Sequence, residues 1–590
     1  EIRIRDNFWD KYRRLVREEI LKYQWCAMND QIEGAPKSHC IENFRIAAGE
    51  KQGEFYGAVF QDSDVAKWLE AVAYTLAEKP DKELKKLADS VIELIGRAQE
   101  PDGYFNTYFI LKEPGQRFRN LREGHELYTL GHMIEAAVAY KRATGEKRFL
   151  EIVQKMADLV ANTFGVEEGK RMGMPGHQEI ELALMKLYEE TGKESYKELA
   201  KYFIDVRGCG NRNYFLEEMK QKDVKRIFPE LNDYRPEYSQ SHLPVRKQRT
   251  AEGHAVRAVY MYAAMADIAA EYDDEELLGA CETLWNNMVH RRMYVTGGIG
   301  SSGILERFTA DYDLPNDYNY CESCASIGLA FFARRMMQIT KKAKYVEVME
   351  RALYNTVLAG IAMDGKSFFY VNPLEVWPPS CMERTSKEHV KSVRQKWFGV
   401  ACCPANISRT LASLGEYIYA CEKDTIYVNL FIGNETQITV GEQKVHLSLE
   451  TDFPWKNQFK INVSGVKESV QLAVRIPEYA QDYKIFCEGR EQFYKEKDGY
   501  AYITCEKNGR YEVQFVSEPR FVRANPKVRA DEGKVCVMWG PLVYTVEETD
   551  NGENLQALYI DTAKPVKKSE KEEFPMLIAA GTVSYTHLRA

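Results

Sequence analysis

The chain has 590 residues, with 80 Lys and Arg against 88 Asp and Glu, giving a net charge of −8 at pH 7. Hydrophobic residues at 45% and charged residues at 28% are globular proportions, which excludes a disordered or fibrous chain. No apolar run approaches the roughly 20 residues of a membrane helix, and the acidic balance argues against nucleic acid or an anionic membrane as partner.

The opening Glu1 to Arg5 (EIRIR) alternates and reads as a strand, a candidate partner for a later one. From there to about Lys423 the pattern is helical. Asp64 to Glu78 and Asp81 to Glu100 place apolar residues three and four apart, as amphipathic helices do. His125 to Thr144, Arg148 to Asn162, Ile180 to Glu190 and Ser195 to Val206 continue the pattern, with Gly145 and Gly192 as stop signals. Glu252 to Glu271, Glu275 to His290, Glu322 to Thr340, Lys344 to Gly360 and Asn406 to Tyr419 complete it. So many helices in pairs, with no alternating βαβ units, predict a closed ring of helix hairpins. After Asp424 the period switches to two. Thr425 to Ile432, Val445 to Glu450, Phe459 to Val463, Val470 to Ile476, Tyr500 to Cys505, Tyr511 to Val516 and Val535 to Val546 read as strands of β-sandwich type.

The expected fold class is therefore mainly α with β: an (α/α)₆ barrel catalytic domain followed by β-sandwich domains. The expected division is an N-terminal segment 1–30 associated with the late β-sandwich, a barrel 31–423, a β-sandwich 424–520, a second, C-terminally incomplete β-sandwich 521–582, and a tail 583–590. The tail (VSYTHLRA) continues no pattern and resembles translated read-through of a sequencing adapter, so it is read as non-native. The β-modules offer surfaces for a homodimer.

Thirteen cysteines, an odd number scattered over a long chain, do not form a disulfide framework. They point to reduced thiols, a cytoplasmic setting and candidate metal ligands, although the chain opens at Glu1 without Met and a lost signal peptide stays compatible. The densest candidate is Cys402-Cys403-Pro404. Pro404 suits the first turn of a helix, whose N-terminus favours a thiolate for metal ligation or nucleophilic attack; ordinary burial of cysteine is the competing reading. The second is Tyr320-Cys321-Glu322-Ser323-Cys324. Glu322 and Cys324 are two apart, so they face one point only at an irregular helix start. Glu322, Cys324, Cys402 and Cys403 together would make a four-coordinate site, with Zn²⁺ the metal that suits it.

His132, His177 and His254 each stand one residue after a Gly and open or enter a helix, as residues lining the mouth of a ligand site would. Packing inside the core is the alternative for each. Glu306, in the Gly-rich TGGIGSSGILERF, is a carboxylate that a substrate can approach or a solvated loop charge. Tyr104 and Phe105 in PDGYFNT suit a sugar-stacking platform, while turn chemistry explains Asp102-Gly103 equally well. A GxSxG elbow, a phosphate loop and HExxH are absent, and TGGIG follows no βαβ strand.

The run ERFTADYDLPND (Glu306 to Asp317), then YCESCAS and WFGVACCPANISR, resembles the β-L-arabinofuranosidases of glycoside hydrolase family 127. The likeness extends through FQDSDVAKWLEAVAY, LPVRKQRTAEGHAVRA, FFYVNPLE and GKVCVMWGPLVYTVEETDN, nearly the whole chain. The resemblance implies a retaining exo-glycosidase that removes non-reducing terminal β-L-arabinofuranosyl residues. A zinc-bound thiolate takes the place of the usual carboxylate nucleophile. By motif, Cys402 is the nucleophile and Glu306 the acid/base, and Glu322, Cys324, Cys402 and Cys403 are the zinc ligands. His132, His177, His254 and Tyr370 match positions that grip the sugar hydroxyls, with Glu350 in MERALYN a further substrate-site candidate. The implied partner is an arabinose-containing oligosaccharide or glycoconjugate. Val400 stands where relatives often carry a further Cys, which leaves the zinc set intact, and the family continues past this chain's last patterned residue. The alternatives are the same chemistry on another plant sugar, a non-catalytic carbohydrate-binding protein stapled by zinc, and an (α/α)-barrel lyase or epimerase.

Overall fold

The computed structural model describes residues 2–569 and 575–583. All but the first residue of the 583–590 tail lies outside the described residues, and the reading of that tail as non-native stays with the sequence. Two compact units separate: Lys11–Lys341 with Thr356–Tyr417, and Glu1–Asp10 with Lys342–Asn355 and Ile418–Ala590.

The first unit is helical. Its hairpins run α1 (Asp62–Glu78) and α2 (Lys82–Ala98), α3 (Glu126–Thr144) and α4 (Arg148–Thr163), α5 (Ile180–Thr191) and α6 (Glu194–Val206), α7 (Ala255–Glu271) and α8 (Glu275–Arg291), then α9 (Ser323–Thr340) and α10 (Cys402–Ala412). Helices α1, α3, α5, α7, α9 and α10 each pack on the next, and α10 returns to α1, closing a ring of six. The expected barrel is thus the observed one. The reason lies in composition. Inner helix α7 reads AVRAVYMYAAMADIAA and is buried almost all round, because alanine lets neighbouring backbones approach. Outer helix α2 (KELKKLADSVIELIGRA) buries one stripe, Ala88, Val91, Ile92, Leu94, Ile95 and Ala98, and turns its lysines to solvent. Asp81 caps α2 by accepting from Glu83 and Leu84 N–H, and Gly145 ends α3 in a left-handed turn. Outside the ring, Leu21–Met28 packs on α1 and Val16–Ile20 on α10.

The second unit contains a seven-stranded sheet ordered Ile2–Ile4, Asn434–Val440, Gln443–Thr451, Gln458–Ser464, Gly509–Val516, Gln481–Cys487 and Arg490–Glu491. A five-stranded sheet runs Lys495–Lys497, Tyr500–Cys505, Val470–Arg475, Thr425–Val428 and Tyr419–Glu422. The opening strand pairs antiparallel with Asn434–Val440, Ile2 opposite Thr436. Arg520–Val522, Cys536–Trp539 and Leu542–Tyr544 form a separate three-stranded sheet. The helix expected over Lys344 to Gly360 is present: Ala343–Ala352 runs on through a wider π-helical turn at Leu353–Val357 and two further helical residues, and ends at Gly360. Among the described residues no helix is long and apolar enough to cross a membrane.

Candidate active site

Two helix starts meet inside the helical unit. Glu322 has extended backbone (φ −60°, ψ 137°) and stands immediately before α9, whose second residue is Cys324. That break in geometry aims residues two apart at one point, which a continuous helix would forbid. Cys402 and Cys403 are the first two residues of α10, four residues earlier than the start expected from periodicity. The start of α9 is stapled to the segment 370–372: Ser323 N–H donates to Tyr370 O at 3.0 Å, and Asn372 Nδ2 donates to Cys321 O at 3.0 Å.

The four donors converge. Cys324 Sγ lies 3.5 Å from Cys402 Sγ and 3.2 Å from Cys403 Sγ, and the two adjacent sulfurs are 4.0 Å apart. Glu322 Oε1 is 3.4 Å from both Cys402 and Cys403. A tetrahedron with arms of about 2.3 Å has edges of about 3.8 Å, so the set has the size of a zinc site. Its chemistry asks for a cation too. Glu322 Oε2 is buried with no hydrogen-bond partner. Burial, then the neighbouring Cys402, push the Glu322 carboxyl well up. Burial also opposes charge on Cys324, but hydrogen bonds from Cys402 and Cys403 outweigh it and lower this thiol to about 6. Donating to Cys324 pushes Cys402 up in turn. A divalent ion would let all the donors ionise.

Tyr370, expected at the sugar, has its hydroxyl 2.7 Å from Cys402 Sγ. Glu306 joins from the loop before α9. Its Oε2 lies 2.7 Å from His254 Nε2, and its Oε1 accepts from the Tyr320 hydroxyl at 3.0 Å. Its side chain is 36% exposed, so it is a partnered carboxylate at an opening and not a solvated loop charge. His254 caps α7: Nδ1 accepts from Val256 and Arg257 N–H. That fixes the tautomer. Nδ1 is an acceptor, so the proton of neutral His254 sits on Nε2 and is donated to Glu306. Burial holds His254 below the ordinary imidazole value despite Glu306. Desolvation pushes Glu306 up, but the His254 and Tyr320 donors hold it below the usual carboxylate range. Ligand atoms of His254, Glu306 and Glu322 lie within 4.8 Å of one another, so the Glu306 pair adjoins the thiol cluster through Glu322.

A ribbon of rings continues from there. His177 is 5.4 Å from His254 and 4.4 Å from Tyr128, centroid to centroid, and Tyr128 is 4.5 Å from His132. His177 Nδ1 is tied to Gln178 O at 2.9 Å. His132 lies inside α3, not at its end, with Nδ1 3.1 Å from Glu179 Oε1 and Nε2 without a partner among the described residues. Beneath it, Arg409 of α10 donates to Glu70 and Glu135, each at 2.7 Å, and to Asn406 Oδ1 at 2.6 Å. The structure thus brings together Glu322, Cys324, Cys402, Cys403, Tyr370, Glu306, His254, His177 and His132.

Two expectations fail. Glu350 does not join: it belongs to the other unit, where its carboxylate is taken by Arg475 and by the Tyr479 hydroxyl at 3.0 Å. Tyr104 and Phe105 are 0% and 1% exposed, and the Tyr104 hydroxyl is spent on Glu126, so neither is a stacking platform. Sequence reading missed Tyr320, adjacent to the YCESC cysteine but unassigned, and His125, whose ring is 5.6 Å from His177. It also missed Arg257, which donates to Gly176 O at 2.6 Å beside the histidines. HELYTLGH contains His125 and was the available signal; Tyr320 and Arg257 carry none in one dimension.

Residues 1–416 match the description "Beta-L-arabinofuranosidase, GH127 catalytic domain", 425–517 the GH127 middle domain, and 519–585 the glycoside hydrolase family 127 C-terminal domain. The chain is 42% identical over 576 residues to a non-reducing end β-L-arabinofuranosidase of Bifidobacterium longum subsp. longum, covering 93% of this chain and 87% of that one. A crystal structure of a GH127 β-L-arabinofuranosidase from Geobacillus stearothermophilus T6 superposes with a TM-score of 0.94 at 50% identity, covering 98% and 92% of the two chains. A second GH127 β-arabinofuranosidase structure gives a TM-score of 0.86 at 35% identity, covering 99% and 91%.

Proposed function

The chain belongs to glycoside hydrolase family 127, and from that premise we propose that it is a retaining exo-β-L-arabinofuranosidase with Cys402 as nucleophile. The observation that carries the mechanism is the convergence of three thiols and one carboxylate at tetrahedral spacing, beside a carboxylate that a histidine orients. Glu322, Cys324, Cys402 and Cys403 would hold Zn²⁺, which when bound keeps the thiols deprotonated and fixes their positions. Glycoside hydrolases usually divide the work between two carboxylates; here the thiolate stands for one.

In the first step the Cys402 sulfur attacks the anomeric carbon. A C–S bond forms as the glycosidic C–O bond breaks, and Glu306 delivers a proton to the departing oxygen. In the second step water attacks that carbon, Glu306 takes its proton, and the C–S bond breaks to return the thiolate. Two displacements restore the starting anomeric configuration. Tyr370, within hydrogen-bond reach of Cys402, would orient the sulfur and contact the sugar. His254 fixes the Glu306 carboxylate, and His177 would serve the furanose hydroxyls; His132, expected there too, is fully buried and would back the histidine ribbon behind His177. The substrate would be an arabinose-containing oligosaccharide or glycoconjugate. The domain boundaries proposed from the sequence are a segment 1–30, a helical domain 31–423, a β-domain 424–520 and a second β-domain 521–582, with the change of period marking the boundary at 423/424.

The test is metal content together with hydrolysis of an aryl β-L-arabinofuranoside. One zinc per chain is expected, with turnover lost in Cys402→Ser; full activity in that variant would sink the mechanism.

A further inference from the structure

Glu306 sits on a turn that does not sustain itself. Leu305 (φ 59°) and Glu306 (φ 53°) are successive non-glycine residues in the left-handed region, a conformation costing each roughly 1–2 kcal/mol. Such a turn persists only where surroundings over-determine it. On its inner side the backbone supplies this: Ser302 and Arg307 exchange hydrogen bonds at 3.1 Å, and Phe308 N–H donates to Gly253 O at 2.9 Å. On its other side stands an imidazole from a different loop. His389 lies so close over Gly303 that a Cβ added there would be 2.5 Å from its Nδ1. Its Nε2 is 3.0 Å from Tyr318 O, and its ring is 5.7 Å from that of Tyr320, the donor to Glu306 Oε1. The His389 loop is itself tied down, Lys387 Nζ to Asp317 Oδ2 at 2.5 Å and Val390 N–H to Lys387 O at 2.9 Å.

One ring therefore touches both chain segments that set the carboxylate: the approach to Glu306 at Gly303, and the Tyr318–Tyr320 stretch that carries its hydroxyl donor. We propose that His389 is a positioning residue for Glu306, a wedge that holds the strained turn and the Tyr320 hydroxyl in register. This rests on the reading of Glu306 as acid/base. His389 does not touch the four thiol and carboxylate donors, so its removal acts on proton delivery and not on the nucleophile. Burial keeps its imidazole below the ordinary value, in accord with a neutral, packed ring.

The experiment compares His389→Ala, Gly303→Ala and, as reference, Glu306→Gln on aryl β-L-arabinofuranosides whose leaving groups range from strongly to weakly acidic. Gly303 has φ −71°, so alanine is free of backbone strain there and acts only by displacing the ring. Misplacing a proton donor by about 1 Å costs on the order of tenfold to a hundredfold, and only where the leaving group needs the proton. Both variants should lose kcat/KM by about tenfold or more on the weakly acidic leaving group and only a few-fold on the strongly acidic one. Zinc content and Tm should stay near wild type. A uniform loss across leaving groups, or no loss, in variants that keep zinc and Tm overturns the wedge. If His389→Ala does not fold, Gly303→Ala decides alone. Should Glu306→Gln itself show no leaving-group dependence, the acid/base assignment falls and the wedge with it. If Glu306→Gln shows it and neither other variant does, only the wedge falls.

Discussion

Arg409→Met separates the helix that carries the cysteines from the carboxylates that anchor it. Arg409 is 1% exposed, two turns along α10 from Cys402, and its guanidinium donates to Glu70, Glu135 and Asn406. Methionine keeps the apolar stem and removes the charge. Glu135 retains Lys186, but Glu70 is left buried without its cation. A carboxylate so stranded escapes by taking a proton, which bounds the penalty. At pH 7, two and a half units above its ordinary 4.5, neutralising Glu70 costs at most about 3.4 kcal/mol at 1.36 kcal/mol per unit; at pH 5 the bound falls to about 0.7. Burial already raises Glu70 beside Arg409, so part of that cost is present in the wild type. Losing the Asn406 bond adds about 1 kcal/mol at either pH. The expected loss is about 2–4 kcal/mol at pH 7, within the range for breaking a buried pair, and about 1–2 at pH 5. Urea denaturation of the zinc-loaded protein, read by far-UV circular dichroism at both pH values, measures it. A loss that is equal at the two pH values, or below about 1 kcal/mol at pH 7, would refute the reasoning.

Gly253→Ala should destabilise the helical unit by more than about 2 kcal/mol and reduce kcat further than stability explains. Gly253 has φ +71° and its Cβ would meet Glu237 O at 2.0 Å, beside His254; a thermal melt paired with kinetics is the check. Glu126, raised by burial to about 8 against the bonds from Tyr104 and Phe118 N–H, is protonated in the folded protein at neutral pH. Its stabilisation is full below the unfolded value near 4.5 and is lost as pH rises through 8. Glu126→Gln should therefore lose about 2 kcal/mol less than wild type between pH 6.5 and 8.5 in parallel urea titrations. With Glu306 held below the carboxylate range, the resting His254–Glu306 pair lacks the proton that the departing oxygen needs at neutral pH. Hence kcat/KM should rise as pH falls from neutral, and His254→Ala should shift that limb upward in pH; a flat profile from pH 4.5 to 7.5 in wild type would contradict this.

The barrel was legible because six inner and several outer helices carry a 3.6-residue period with different burial: α7 is alanine-rich throughout and α2 is striped. The donor set was legible because Glu322-Ser323-Cys324 and Cys402-Cys403 stand at helix starts, although periodicity placed the second start at Asn406 instead of Cys402. Asn434–Val440 and Gln481–Cys487 were not read as strands; in the second, one residue of seven is buried, so alternation is faint. Glu350 looked like a site residue because its neighbourhood in sequence resembles the family, and only the fold reveals Arg475 as its partner. The failed platform at Tyr104 and Phe105 has the same cause: a turn sequence says where the chain bends and not which side is covered. Tyr320, Arg257 and His389 act through contacts with residues from 14 to 86 positions away, and no local pattern encodes those.

The central claim is a covalent sugar–sulfur bond at Cys402. It is tested most directly by quenching the enzyme during turnover of an activated β-L-arabinofuranoside, with Glu306→Gln to slow the second step, and mapping the modified peptide by mass spectrometry. A pentosyl group on the peptide containing Cys402, absent from Cys402→Ser, is the expected result. A pentosyl group on Glu322 or another carboxylate, or unimpaired turnover by Cys402→Ser, would contradict it.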